Sequence, residues 1–437
     1  MKTHGHLLRV LGVGFGLAVI IGNTIGAGIF GAPGTIAAQL PAPAPFMLVW
    51  IAAGLYALLG AISLAELGTM IPRSGGQYVF SRYALGEYAG FIVGWSDWIS
   101  SCGSTAAVAL LVGTFSATLV PALAGKAVTT AAVVTILFAL LQWRGIVWGS
   151  NIQNLTSLLK ALAFVALIAA GFVFGKGGSL TTSETHATSA ITLTAVVVSL
   201  QAAIYTYDGW AGVIYFSEEV KHPDQNIPRS LLGGVFTIMA IYILVNVALL
   251  YVLPMSQIAG KEFAAGEAAT AIFGANGDRI FRALTIASML SGINALHLMA
   301  TRVIFAMSRD GLFTSKAAVV NEGGTPTVSL FLSALVALLF ILFGQTFGRV
   351  IAVLAFFFVA NYILSFISLF VLRRREPDKP RPYRAWGYPV TPAVALIGSV
   401  LFLAGAIWAS TINSVYALLL LGVSYPVFRL LKRLNWS

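Results

Sequence analysis

Charge, cysteine and histidine are all scarce in this sequence of 437 residues. Asp, Glu, Lys and Arg make up 9% of it, whereas a soluble domain carries roughly 25%. So little charge excludes a soluble enzyme and also a disordered or fibrous chain. The single cysteine, Cys102, excludes an internal disulfide and a cysteine-based metal site. We expect no metal and no cofactor, because the histidines lack metal-ligand spacing and lie at His4, His6, His186, His222 and His297.

Long apolar stretches dominate the sequence instead. Hydrophobic residues make up 58% of it, and a helix needs about 20 apolar residues to cross a bilayer. The polar connections are too short for a soluble domain. The sequence therefore predicts an all-α polytopic protein of the lipid bilayer with twelve transmembrane helices. The predicted spans are 10–38, 45–70, 84–116, 125–146, 150–174, 190–218, 229–253, 279–306, 325–345, 347–372, 390–409 and 411–431.

Positive charge is distributed unevenly between alternate connections. If the N-terminus is cytoplasmic, most of the 26 Lys and Arg residues fall in cytoplasmic segments, including the run Arg373–Arg375. Cytoplasmic loops of membrane proteins carry such an excess. We therefore expect a multi-pass protein of the cell membrane, plasma or inner, with both termini in the cytoplasm. The net charge of +11 then requires no nucleic acid partner.

Two of the predicted spans contain glycine-rich interruptions. The first span contains IGNTIGAGIFG at 21–31, and the sixth contains YTYDGWAG at 205–212. Each is the first of five spans, and because five is odd the second set starts on the opposite side of the membrane. Such inverted repeats with discontinuous helices at mid-membrane are typical of transporters. The prediction is a five-plus-five inverted repeat with helices 1 and 6 discontinuous. Its parts are the first repeat at 1–174, the second at 190–372 and two additional helices at 390–431.

The broken helices also predict the kind of ligand. Unwound helix ends leave N–H and C=O groups without intrahelical partners. The outer half of the first span begins near Ala27–Gly28, and its N–H groups form a positive end suited to a carboxylate. Carbonyl groups near Thr24 and near Tyr205–Thr206 suit an ammonium group. Together these groups match an α-amino acid zwitterion.

Ionisable groups inside apolar spans are costly, and each is a functional candidate; the clear cases are Asp97, Lys160, Asp208 and His297. Asp97 and His297 have an alternative interpretation as hydrogen-bonded packing residues. Asp208 can cap the helix segment that follows it, or pair with an ammonium group, a basic substrate side chain or a proton. Lys160 is harder to explain by packing.

Five segments carry a family resemblance. They are IGNTIGAGIF (21–30), AELGTMIPRSGGQYVF (65–80), YTYDGWAGVIYFSEEVKHPDQNIPRSL (205–231), TRVIFAMSRDGLF (301–313) and LRRREPDKPRPYRAWGYPVTP (372–392). In this order, over about residues 10–390, the chain resembles the amino acid–polyamine–organocation superfamily. Within that superfamily it is most similar to bacterial relatives of the L-type amino acid transporters. Each segment alone is a weak signal, but five in the family order are highly specific.

The resemblance implies alternating access around a mid-membrane site. In the family, the glycine-rich stretch of helix 1 holds the substrate carboxylate, and main-chain groups of helices 1 and 6 meet the amino group. An aromatic residue, here Tyr205, serves as an outer gate, and helix 10 supplies a polar pocket residue, here Asn361. With Asp208 added from its place at the helix 6 break, the expected substrate-binding residues are Thr24, Ile25, Gly26, Ala27, Gly28, Tyr205, Thr206, Asp208 and Asn361.

Lys160, in SLLKALAFVAL, matches a helix 5 lysine that occupies the place of a sodium ion in sodium-coupled cousins. Its expected neighbours are the helix 1 break and Ser288 or Ser291 of helix 8. The resemblance therefore favours sodium independence.

Two departures from the family pattern matter. Animal L-type transporters are linked to a single-span glycoprotein through a cysteine in the loop between helices 3 and 4. Here that loop, about 117–124, reads ATLVPALA, so we expect no disulfide-linked heavy chain. Many relatives have a small residue where this chain has Asp208, and relatives with Asp include ones that accept dibasic amino acids.

The combined prediction is a sodium-independent secondary-active L-amino acid transporter, either an exchanger or proton-coupled. Small neutral amino acids are the expected substrates, and basic ones remain open. The alternatives are a sodium-coupled symporter of the same fold and a polyamine or organocation permease. A membrane enzyme is disfavoured because the sequence has no paired catalytic residues, and a channel because its mid-membrane polar residues are too few.

Overall fold

The computed structural model describes residues 7–26, 28–181, 191–344, 347–409 and 411–434. In these residues the regular structure is helical, apart from two isolated β-bridges that join Leu11 to Val220 and Val320 to Pro326. The helices are α1 (Val13–Thr24), α2 (Gly28–Gln39), α3 (Pro43–Met70), α4 (Gln77–Leu85), α5 (Glu87–Leu119), α6 (Ala127–Trp143), α7 (Ile146–Phe174), α8 (Gly178–Thr181), α9 (Leu193–Tyr207), α10 (Pro223–Val252), α11 (Met255–Ile258), α12 (Ala264–Phe273), α13 (Gly277–Arg309), α14 (Thr327–Gly344), α15 (Phe347–Arg375), α16 (Val390–Ala409) and α17 (Thr411–Leu434).

All twelve predicted spans coincide with helical segments. Among the described residues, eight helices are long and apolar enough to cross a membrane, and α1 with α2, bent by 46°, makes a ninth if the pair is one span. Two shorter apolar helices, α6 and α14, match two more predicted spans. The remaining span corresponds to α9 and the short 3-10 helix Gly212–Phe216. The prediction of an all-α polytopic membrane protein is confirmed.

Two helices of nine and ten residues were not predicted, because they lie in the connections. One is α4, which follows Gly75 and Gly76, two residues with φ of 127° and 66° that turn the chain before the helix starts. This helix buries Gln77 and Tyr78 and packs along α5. The other is α12, which packs against α13 and α2.

The broken helices lie inside the bundle. Of the 18-residue apolar stretch of α13, 72% is buried, whereas in α17 the buried share of such a stretch is 22%. Helix α13 is therefore central, and α17 faces lipid. The long helices α5 and α13 pack along each other, as do α3 and α10. Helix α1 is surrounded by α7, α10 and α13. The break between α1 and α2 is therefore enclosed by protein on several sides.

Ion pairs join the segments that the sequence assigns to the cytoplasmic side. Arg302 and Glu219 form a two-point pair, with N–O distances of 3.0 and 2.8 Å, and both side chains are fully buried. Glu66, also fully buried, lies 2.7 Å from Arg373 and 3.1 Å from Arg381. Removing one partner of a buried pair costs about 3–5 kcal/mol. These pairs therefore hold this end of the bundle together.

Candidate functional site

The first break begins after Thr24, at Ile25 and Gly26. The N–H of Ile25 still donates to Ile21 O, but the N–H of Gly26 turns back to Thr24 O at 2.8 Å. In a continuous helix that N–H would donate to Gly22 O. The carbonyl groups of Gly22 and Ile25 are thus released from the helical ladder. Helix α2 begins at Gly28, and the predicted site residue Ala27 lies outside the described residues.

The second break lies at residues 208–211 and touches the first. Helix α9 ends at Tyr207, and Gly209 has φ of 108°, a conformation that favours glycine. A Cβ atom on Gly209 would lie 3.0 Å from the main-chain nitrogen of Thr24. Glycine therefore allows the two interrupted helices to meet backbone to backbone.

The Tyr242 hydroxyl of α10 bridges the two breaks. It lies 2.8 Å from Thr24 O and 3.1 Å from Thr206 O, and Tyr242 is fully buried. Because the hydroxyl has one proton, it donates to one of the two carbonyl groups at a time. The sequence predicted these carbonyl groups as free acceptors, but in the structure a tyrosine already satisfies them. Tyr242 carries no sequence signal that distinguishes it from the other tyrosines in the spans.

A central cavity lies at the two breaks; its volume is about 800 Å³ when space open to solvent is included. Seven of the nine predicted substrate-binding residues line it. These are Thr24, Gly26, Gly28, Tyr205, Thr206, Asp208 and Asn361. The side chain of Ile25 is fully buried and is not part of the lining; its carbonyl group instead meets Lys160. The structure thus brings together the residues that the sequence placed in one site.

The Asp208 carboxylate faces this cavity and accepts a hydrogen bond from the Tyr362 hydroxyl at 2.7 Å. The Tyr362 ring is stacked on Trp210, with centroids 5.0 Å apart. The following 3-10 helix begins only at Gly212, and no side chain caps it. Because the carboxylate is hydrogen-bonded to the Gly209 main chain and not to the 3-10 helix, this geometry does not match a cap of that helix.

A second carboxylate, Asp97 of α5, also lines the cavity. Both of its oxygens lie near the Tyr215 hydroxyl, at 2.8 and 2.9 Å. On a neighbouring wall, the Asn361 side-chain oxygen accepts a hydrogen bond from Ser96. His297, in contrast, is buried and does not line this cavity.

Lys160 of α7 reaches the carbonyl groups that the first break releases. Its ammonium group donates to Gly22 O at 2.8 Å and to Ile25 O. The Ser288 hydroxyl lies 3.5 Å from Ile25 O. The lysine is buried, with 2% of its surface exposed. It therefore ties α7, and with Ser288 also α13, to the end of α1.

A polar network that the sequence reasoning missed continues from Lys160 along α7. Ser291 does not meet the lysine; it bonds Ser157 at 2.9 Å and Gln153 at 3.1 Å. Gln153 and Ser157 both donate to Ala18 O of α1, and Asn294 of α13 donates to Gln153. The signal was the spacing of Gln153, Ser157 and Lys160, which places three polar residues on one face of a helix.

A second, larger cavity lies beyond the first. It is lined by Phe115, Lys261 and Arg282, among others, and its volume is about 1630 Å³, including space open to solvent. Gly28, Tyr205 and Thr206 line both cavities. These residues therefore form the partition between the two cavities.

Comparison with known proteins identifies the family of the chain. A family model described as amino acid permease matches residues 16–423. The serine/threonine exchanger SteT of Bacillus subtilis is 28% identical over 435 residues, which cover 98% of both chains. The human b(0,+)-type amino acid transporter 1 is 26% identical over 94% of this chain and 86% of its own length. The human large neutral amino acids transporter small subunit 2 is 26% identical over 97% and 80% of the two chains.

The family match spans nearly all the described helices and confirms the resemblance seen in the sequence. The chain belongs to the amino acid permease family, so it is a multi-pass membrane transporter and not an enzyme.

Proposed function

We propose that the protein is a sodium-independent transporter of L-amino acids that works as an exchanger or with proton coupling. The observation that carries the proposal is the meeting of two broken helices at one cavity, where a positive helix end lies close to main-chain carbonyl groups. All three relatives described above have exchange or amino acid transport in their names. Small neutral amino acids are the proposed substrates, and basic ones are considered below.

In the proposed binding mode the substrate carboxylate meets the N–H groups of Ala27 and Gly28 at the start of α2, and it lies against Gly26, whose own N–H donates to Thr24 O. An N-terminal helix end attracts anions through its free N–H groups and its dipole. The α-ammonium group meets the carbonyl groups of Thr24 and Thr206, where it replaces the Tyr242 hydroxyl. Asp208 adds a negative charge next to these carbonyl groups, which favours the cationic end of the substrate.

Sodium independence is supported by the position of the Lys160 ammonium group. Hard cations such as sodium are bound by oxygen atoms, and two oxygens released at this break already accept hydrogen bonds from an ammonium group. A cation that is part of the chain makes an external one unnecessary at this place. Ser288 belongs to this proposed cluster, and Ser291 supports it through Ser157.

Alternating access between two inverted five-helix repeats, 1–174 and 190–372, is part of the proposal. The packing supports it, because contacts recur when the halves are exchanged. The equivalent helices of the two repeats are α1 and α9, α3 and α10, α5 and α13, and α7 and α15. Helix α3 contacts α9, and their equivalents α10 and α1 are also in contact. In the same way, α5 contacts α15, and α13 contacts α7. In the cell or inner membrane, both termini would be cytoplasmic. We also propose that no disulfide-linked heavy chain is required, since Cys102 is buried.

The function is tested by uptake of radiolabelled serine into proteoliposomes. We expect uptake to be independent of sodium and to rise with internal unlabelled serine if the protein is an exchanger. Uptake that instead rises with an inward proton gradient, without internal serine, would identify proton coupling. Uptake that requires sodium, or no uptake of any amino acid, would contradict the proposal.

Replacing Asp208 with Asn is expected to weaken the binding of neutral and of basic substrates by a similar factor, about tenfold. The physical reason is that every α-amino acid presents the same ammonium group, and a hydrogen bond to a charged group contributes about 1.5–3 kcal/mol. The measurement is competition by serine, alanine and lysine for uptake. Selective weakening of lysine alone would show that Asp208 contacts the substrate side chain instead.

A further inference from the structure

Two carboxylates line the central cavity, and the described residues of its lining include no Lys, Arg or His. Asp208 comes from the second break, whereas Asp97 comes from α5. The Asp97 side is polar beyond the carboxylate itself. Ser101 and Ser104 follow it on the same helix face and also line the cavity. The cavity therefore has a second anionic wall, apart from the group that faces the helix breaks.

Each of these carboxylates has a neutral hydroxyl as its side-chain partner in the structure. Tyr215 donates to Asp97, and Tyr362 donates to Asp208. A hydroxyl satisfies an oxygen atom but does not compensate a negative charge. A buried charge without a countercharge is strongly disfavoured, and Asp97 has 3% of its surface exposed. The α-ammonium group of a substrate supplies one countercharge, so the cavity can accept one more.

Resting on the proposed function, we infer that Asp97 is a specificity-determining residue that binds the distal cation of a dibasic L-amino acid. The substrate carboxylate lies at the start of α2 and its α-ammonium group near Asp208. Its side chain extends toward α5, where an ammonium or guanidinium group takes the place of the Tyr215 hydroxyl on Asp97. The two cationic groups of the substrate then meet the two carboxylates of the cavity. A neutral substrate leaves Asp97 with Tyr215.

The positive end of α2 distinguishes a dibasic amino acid from a diamine. A diamine offers two cations to the two carboxylates, but it has no carboxylate for the N–H groups at Gly28. It also brings its charges next to a helix end that repels cations. We therefore expect cadaverine, which is lysine without its carboxylate, to bind much more weakly than lysine.

The test is competition for radiolabelled serine uptake in proteoliposomes by lysine, ornithine, arginine, alanine and cadaverine. In Asp97→Asn, the concentration of lysine that halves uptake is expected to rise at least about tenfold, because a hydrogen bond to a charged group is lost. The corresponding value for alanine should change much less. Glu87→Gln is the matched control, since Glu87 is an exposed carboxylate at the start of the same helix, paired with Lys432. It should leave both values at the wild-type level.

The outcomes separate this inference from the proposed function. If the wild type takes up no amino acid, the proposed function fails. If the wild type takes up serine but lysine does not compete, only the inference is overturned. The same holds if Asp97→Asn weakens competition by lysine and by alanine equally. Cadaverine that competes as well as lysine overturns it too.

If Asp97→Asn does not fold, Tyr215→Phe replaces it: this variant keeps the carboxylate and removes the competing hydroxyl, so lysine should bind more tightly. A selective loss of lysine competition in Tyr215→Phe would overturn the inference.

Discussion

Replacing Lys160 with alanine is expected to reduce transport by more than about tenfold while the protein still assembles in the membrane. The variant leaves the Gly22 and Ile25 carbonyl groups without the ammonium donor that they have in the structure. An unpaired buried acceptor costs about 1–3 kcal/mol, and about 1.4 kcal/mol corresponds to a factor of ten. The measurement is serine uptake into proteoliposomes, with thermal unfolding of the purified variant followed in parallel.

The matched control is Lys126→Ala, because Lys126 is exposed and its ammonium group donates to Ala122 O in its own connection. Its transport should equal that of the wild type. Normal transport in Lys160→Ala would show that the break holds its shape without the lysine. A steep sodium requirement in the wild type would equally contradict the role given to this ammonium group.

Replacing Gly28 with valine is expected to lower substrate binding by more than about a hundredfold. A Cβ atom at this position would lie 3.0 Å from the Thr206 Cα atom, so α2 must move away from α9. The same branch fills the space in which a carboxylate would meet the N–H groups. Loss of two hydrogen bonds to a charged group, at about 1.5–3 kcal/mol each, accounts for the size of the effect. Substrate-induced thermal stabilisation of the purified protein measures binding directly.

Gly26→Ala separates the two causes. A Cβ atom on Gly26 would lie 3.8 Å from its nearest neighbour, the Asn23 carbonyl oxygen. Packing should therefore tolerate the added methyl group. In Gly26→Ala we expect a normal unfolding temperature and a lower substrate affinity. In Gly28→Val we expect both the unfolding temperature and the substrate affinity to fall. If Gly28→Val bound substrate normally, the carboxylate site would have to lie elsewhere.

The sequence was sufficient for the spans and the breaks because both depend on local composition. Apolar length identified each membrane helix, and glycine placed the interruptions near Gly26 and Gly209, where the structure has them. Lys160 was predicted to meet the helix 1 break from the family resemblance, and its contacts to Gly22 and Ile25 agree with that. Whether these residues bind substrate stays a prediction.

What the sequence could not provide are contacts between distant polar residues that are individually ordinary. Gln153 and Asn294 are separated by 141 positions, yet they bond at 2.8 Å. Asp97 was identified as unusual, but its partner Tyr215 follows only from how the 3-10 helix lies against α5. The short helices α4 and α12 were missed because their length falls below that of a membrane span.

In the proposed binding mode, the Tyr242 hydroxyl, which lies between the Thr24 and Thr206 carbonyl groups, would set an upper limit on how tightly cargo can be held. An arriving ammonium group would displace a hydrogen-bond partner that is already in place, so the gain would be the difference between two bonds rather than a whole one. Residence time would then be short, and release to the other side would not have to overcome a deep energy minimum. A carrier built in this way gives up affinity in favour of turnover, since the tyrosine returns to the same carbonyl groups as the cargo leaves.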